Sequence, residues 1–190
     1  MSVVHATGSN HPTRSHFEAQ PNMDTAFGST GWLQRALAAN SFNSLAGLSI
    51  GDRTSPPLIG PLGSQVVNTV NQTVNNGISF SVLRPALEAL YGPQAPALER
   101  AAVASGFASI DAVSAIDPMP GEFPNTSIGR DLREAATLIR GDLGVRAVAV
   151  DSGGWDHHED GTPRMELVGE QLASALTAFI TDLGLSLIHI

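Results

Sequence analysis

Cysteine is absent from this 190-residue chain, so neither a disulfide framework nor a thiolate metal site can be built from it. Lysine is absent too, and all ten basic residues are arginine. Against 18 acidic residues they leave a formal net charge of −8. With no basic face to neutralise phosphates, a general nucleic-acid binder is excluded. No run approaches the roughly 20 apolar residues of a membrane span, and the opening residues do not read as a secretory leader. Zinc ribbons are excluded as well. Histidine and carboxylate chemistry remains, in a chain long enough for one domain with a proper core.

That chemistry concentrates in residues 145–160. Val145 to Val150 is a short apolar run rich in β-branched residues, which predicts a buried parallel strand. It stops at Asp151, and Gly153, Gly154, Trp155, Asp156, His157 and His158 follow. A carboxylate at the end of such a strand, ahead of a glycine-rich loop, stands where open α/β sheets place their ligands. Asp151, Asp156 and His158 offer oxygen and imidazole ligands for a divalent metal. The plainer alternative is that Asp151 caps the loop and the histidines are solvated.

Along the rest of the chain, residues 1–6 predict a strand and 7–13 a polar loop. Ser15 with Glu18 three residues on makes a capping box, so a helix starts with Ser15 at its N-cap. A hydroxyl there, beside Arg14 and His16, also lies in the positive field that draws an anionic substrate. Trp32, Leu33, Ala36 and Leu37 have helical spacing and predict a core face rather than a ligand cage. Leu45 to Ile50 predicts a second strand, and 52–64 a surface loop. Residues 65–80 carry no charge and alternate polar with Val positions, which suits a small β excursion outside the main sheet. Helices are predicted over 81–91 and 96–107, the second with Leu98, Ala101, Ala102 and Val103 apolar. A third, opening at Ser127, aligns Leu132, Ala135, Ala136, Leu138 and Ile139 on one face. It feeds into the 145–150 strand, the α-then-β step of a parallel sheet. A last helix over 164–183 carries Leu167, Val168, Leu172, Leu176, Phe179 and Ile180.

Four motifs occur in order: Val4-His-Ala-Thr-Gly with Pro12-Thr-Arg-Ser-His-Phe-Glu-Ala-Gln20; Gly31-Trp-Leu-Gln-Arg-Ala-Leu37; Phe123-Pro-Asn-Thr with Gly129-Arg-Asp-Leu132; and Val150-Asp-Ser-Gly-Gly-Trp-Asp-His-His158. Together they resemble the bacterial family called domain of unknown function 1501, grouped with the alkaline phosphatase and sulfatase superfamily. The resemblance covers nearly the whole chain. In the family the last motif usually reads Trp-Asp-Thr-His, so Asp156 and His158 match, while His157 replaces a threonine and becomes a competing ligand.

The resemblance implies an α/β fold, an alkaline-phosphatase-like sheet sandwiched between helices, with a metal centre at the strand ends. It implies a hydroxyl that attacks a phosphate or sulfate ester and leaves a covalent intermediate. Ser15 is the implied nucleophile, Thr13 the alternative, and Arg14 the residue that holds the anionic group beside His16. The implied cofactor is a divalent metal, zinc first, with magnesium, manganese or calcium also suited. The implied partner is a small anionic ester, with no nucleic acid and no membrane span. Relatives carry further segments before and after the stretch matched here, typically a twin-arginine export signal and additional ligand motifs. The chain is therefore expected to be a domain over 1–184, incomplete at both ends, of a periplasmic or extracellular protein. Leu185 to Ile190 coincides with the translation of a sequencing-adaptor transposon end and is expected to be non-native. The rival reading is a catalytically silent envelope or binding protein that keeps the fold.

Overall fold

The computed structural model describes residues 15–26, 28–40, 45–61, 65–67, 80–117, 121–156 and 161–184. The expected strand at 1–6, the loop at 7–13 and the tail at 185–190 lie outside those residues. The chain is α/β. Helices α1 (His16–Thr25) and α2 (Trp32–Ala38) precede strand β1 (Gly47–Ile50), a 3-10 turn (Pro56–Leu58) and strand β2 (Gln65–Val67). Helices α3 (Phe80–Leu90), α4 (Ala97–Ser114) and α5 (Ser127–Arg140) lead to strand β3 (Ala147–Val150) and the long helix α6 (Gly161–Leu183).

The strands form a parallel sheet in the order β2-β1-β3. In the central strand, Leu48 pairs with both Gln65 and Val148. β1 is buried throughout, whereas β3 is only half-buried and lies at the edge of the described sheet. The parallel strand expected at 145–150 is therefore present, but the deeply buried position belongs to β1. Residues 65–67 were expected in an excursion outside the sheet; they pair within it, and 68–79 lie outside the described residues.

Side-chain alternation divides the sheet into two faces. Leu48 and Ile50 pack with Val113, Ala135 and Leu138, and Val148 and Val150 join them. On the other face Ala147 and Ala149 meet Leu37, Ala46 and Leu58, from α2, the segment before β1 and the 3-10 turn. Small alanines on that face let the turn lie close. α5 joins α6 through Ile128, Leu132 and Ala175, with Leu172, Leu176 and Phe179 packed against them.

The apolar stripe of α5 is legible residue by residue: Leu132, Ala135, Ala136 and Leu138 are buried, while Ile139 is exposed. Its start is fixed by Thr126, whose hydroxyl accepts a 3.1 Å hydrogen bond from the Gly129 amide. A side chain at Gly129 would collide with the Pro124 carbonyl oxygen, so the tight Pro124–Gly129 entry requires glycine.

α2 departs from expectation. Leu33 and Leu37 point inward as predicted, but Trp32 and Ala36 are exposed, and Gln34 is buried instead. The cause is the close approach of Gly31, whose amide donates to the Ile59 carbonyl at 2.8 Å and whose missing side chain leaves room for Pro57. That contact rolls the i, i+3 pair Gln34 and Leu37 into the interior. α4 also differs: it continues to Ser114, its expected apolar positions Leu98, Ala101 and Ala102 are exposed, and burial falls on Ser109 and Val113. Arg84 ties α3 to it, with a 2.6 Å ion pair to Asp111 and its guanidinium 4.7 Å from the centre of the Phe107 ring. In α6, Leu167 and Ile180 are exposed as well.

Leu138→Ala is expected to cost about 2–5 kcal/mol, because its side chain is wholly buried and the core cannot close around the lost volume. Leu98→Ala, at a position 83% exposed, should stay within about 0.5 kcal/mol. Urea unfolding of the two variants measures the contrast.

Candidate functional site

The C-terminal ends of β1 and β3 open onto a cleft. Its lining comprises Gln20 and Pro21 from α1, Arg53 to Pro56 and Ile59 after β1 (Ser55 excepted), and Val150 to Gly153 after β3. Its volume is about 560 Å³. A second cavity of about 590 Å³ continues from it, sharing Gln20, Ser152 and Gly153 and extending to Phe17, Met23, Trp155 and Asp156. The two form one groove between α1 and the loop after β3.

Each wall has a local cause. The β1 end turns back at Gly51 (φ 137°), a conformation that glycine accepts without strain. The returning loop is pinned by the buried Ser49 hydroxyl, which accepts a 3.0 Å hydrogen bond from the Ser55 amide. Arg53 is thereby held on the groove. After β3 the chain relaxes into Ser152-Gly153-Gly154, and the Trp155 indole N–H donates to the Ser152 hydroxyl at 3.2 Å. α1 is stopped by Ala26, in the left-handed conformation, and it packs against the 3-10 turn.

Carboxyl groups gather at this edge. Burial pushes the Asp24 carboxyl above its ordinary value, and the negative charge of Asp151 adds to the rise. Asp131, on the first turns of α5, is raised chiefly by burial; Glu134 and Asp151 raise it further, against the lowering effect of Arg130. Three separate elements thus bring acidic groups within electrostatic range of the β3 end.

Of the residues singled out in the sequence, Asp151 and Asp156 stand at the groove, both exposed. Ser15 is half-buried at the N-cap of α1, ahead of the α1 residues that line the groove. The capping box is not formed as predicted: the Ser15 hydroxyl makes no side-chain capping bond, and its carbonyl instead accepts the Glu18 and Ala19 amides. Thr13, Arg14, His157 and His158 lie outside the described residues, as does the side chain of His16. Among the described residues, no three His, Asp or Glu side chains stand close enough together to hold a metal ion. The donors present at the groove are carboxylate oxygens, whose hardness suits a divalent cation. Sequence reading missed Arg53, Asp24 and Asp131. The first carried a usable signal, since it follows a strand end, where α/β sheets place ligands.

A family model described as "Protein of unknown function (DUF1501)" matches residues 4–186. The chain belongs to that family. The match takes in every residue of the groove, so the groove is a feature of the DUF1501 region itself. No curated protein and no solved structure matches the chain.

The two raised carboxyls have a consequence for stability. In the folded protein Asp131 holds its proton more tightly than in the unfolded chain, whose value is the ordinary 3.8. Stability therefore falls as pH rises from that value through the raised one, and is level above it. Relative to the parent, Asp131→Asn should gain thermal stability progressively across that window and keep the gain at neutral pH. Melting temperatures taken over a pH series test the sign; a gain confined to acid pH would contradict it.

Proposed function

We propose that this DUF1501 chain is part of a metal-dependent hydrolase of the phosphatase or sulfatase type, exported in its full-length form and acting on phosphate or sulfate esters. The observation that carries the reading is the placement of Asp151 and Asp156 on a small-molecule-sized groove at the C-terminal edge of a parallel sheet. Asp151, Asp156 and His158 would hold the ion, with His157 competing. Bound there, a divalent metal supplies positive charge that polarises an ester oxygen and lowers a hydroxyl pKa.

The chain's own residues divide the remaining work. Ser15 provides the hydroxyl that attacks phosphorus or sulfur and releases the alcohol, with Thr13 as the alternative. Arg14 matches a tetrahedral anion with its forked donors, and His16 stands next in sequence as a proton carrier. The positive end of the α1 dipole favours negative charge beside Ser15.

The full-length protein, loaded with metal, should hydrolyse an aryl phosphate or an aryl sulfate. Asp156→Ala and His158→Ala should each weaken metal binding by more than about 100-fold, since even outer-shell partners are worth about 10–100-fold. Ser15→Ala should abolish turnover while keeping metal content. Metal analysis, calorimetry and ester turnover read these three effects. Unchanged metal stoichiometry in both ligand variants would remove the metal assignment; binding without turnover would favour the silent binding protein.

A further inference from the structure

Resting on the reading that the ligand is an anionic ester, the groove also specifies what the rest of that ester must look like. Its two lobes differ in chemistry. The lobe at the sheet edge contains Arg53, the one cationic side chain in the described lining of either lobe. Its other charged lining residue is Asp151, and Asp24 and Asp131 lie within that carboxylate's electrostatic reach. Within the described lining, Arg53 is the side chain that attracts an anion, and its forked donors match phosphate or sulfate oxygens.

The adjoining lobe is apolar. Phe17 is 79% exposed, Met23 40% and Trp155 42%, and all three edge the same cavity. Large apolar side chains assembled on one rim mark a binding surface rather than scattered surface hydrophobics. The indole N–H donates to the Ser152 hydroxyl at 3.2 Å, which ties the Trp155 ring to the residue shared by both lobes. Aromatic faces with an adaptable thioether suit a flat apolar group. Each lobe falls within the range of small-molecule sites, about 300–1,000 Å³.

We propose that the groove binds a monoester anion carrying an aromatic or similarly flat apolar group, with Arg53 holding the charged head and Phe17, Met23 and Trp155 holding the tail.

Titration calorimetry in metal-free buffer with phenyl phosphate, glycerol phosphate and inorganic phosphate tests this without requiring turnover. Phenyl phosphate should bind about tenfold or more tighter than glycerol phosphate, the difference being apolar burial. Arg53→Gln should weaken both esters by about tenfold, the loss expected of one charge-assisted contact. Phe17→Ala and Trp155→Ala should erase the difference between the esters while leaving glycerol phosphate and inorganic phosphate unchanged. All three positions are exposed, and circular dichroism of each variant verifies the fold. Equal affinity for the two esters in the parent protein, or unchanged binding in Arg53→Gln, would overturn the proposal. Selective binding with no hydrolysis on adding metal would keep it and defeat the hydrolase reading. Hydrolysis with no preference for the apolar tail would do the reverse.

Discussion

The burial of a four-residue strand, Gly47–Ile50, is the constraint from which the rest of the architecture follows. A strand cut off from water on both faces must satisfy its backbone groups on both edges, and β1 does so by pairing in parallel with β2 and β3. Parallel neighbours cannot be joined by tight turns, so the chain must leave the sheet between strands, and α3, α4 and α5 occupy the long excursion between β2 and β3. Within β1 the one polar side chain, Ser49, is fully buried. Its bond to the Ser55 amide satisfies a group that would otherwise cost about 1–3 kcal/mol unpaired, and it ties the loop bearing Arg53 to the strand that defines the sheet. Core packing and groove geometry thus meet at a single hydroxyl.

The same parallel arrangement accounts for the crowding of acidic groups. α5 runs down to a short connection and β3 runs back, so the beginning of α5 returns to the level of the β3 end, and Asp131 comes within range of Asp151. α1 reaches this level from the other side by packing on the 3-10 turn, which brings in Asp24. Neither carboxyl is placed there by its own helix's propensity. Both are delivered by the order of elements, and both are kept partly desolvated by the packing that positions them.

This explains which parts were legible in the sequence. The 3.6-residue stripe of α5 and the β-branched run before Asp151 are local patterns, and both elements are where the pattern puts them. So is the turn into a glycine-rich loop that carries Asp151 and Asp156. Depth of burial is not local: β3, Ala-Val-Ala-Val, is the more hydrophobic strand, yet β1, with a glycine and a serine among its four residues, takes the centre because it has partners on both edges. Nor is the inward face of α2, where a glycine contact rather than hydrophobicity sets the roll and buries Gln34 in preference to Trp32. Asp24 and Arg53 belong to segments that read as an ordinary helix and an ordinary surface loop. Their meeting with Asp151 is a tertiary event.

Two glycines show how structural and functional demands can be told apart. Gly129 is surrounded: backbone of Pro124 occupies the space a side chain would need, so packing alone accounts for it. Gly153 is the opposite case. Beyond its two chain neighbours no atom lies within 4 Å of the point where its side chain would begin, and its φ is not in the left-handed region, so neither sterics nor backbone conformation demands glycine. What it does border is the groove, at the junction where the charged and apolar lobes share their lining. The space beside it is open where the two lobes meet. An unforced glycine at that junction is intelligible as the condition for one ligand to span both lobes.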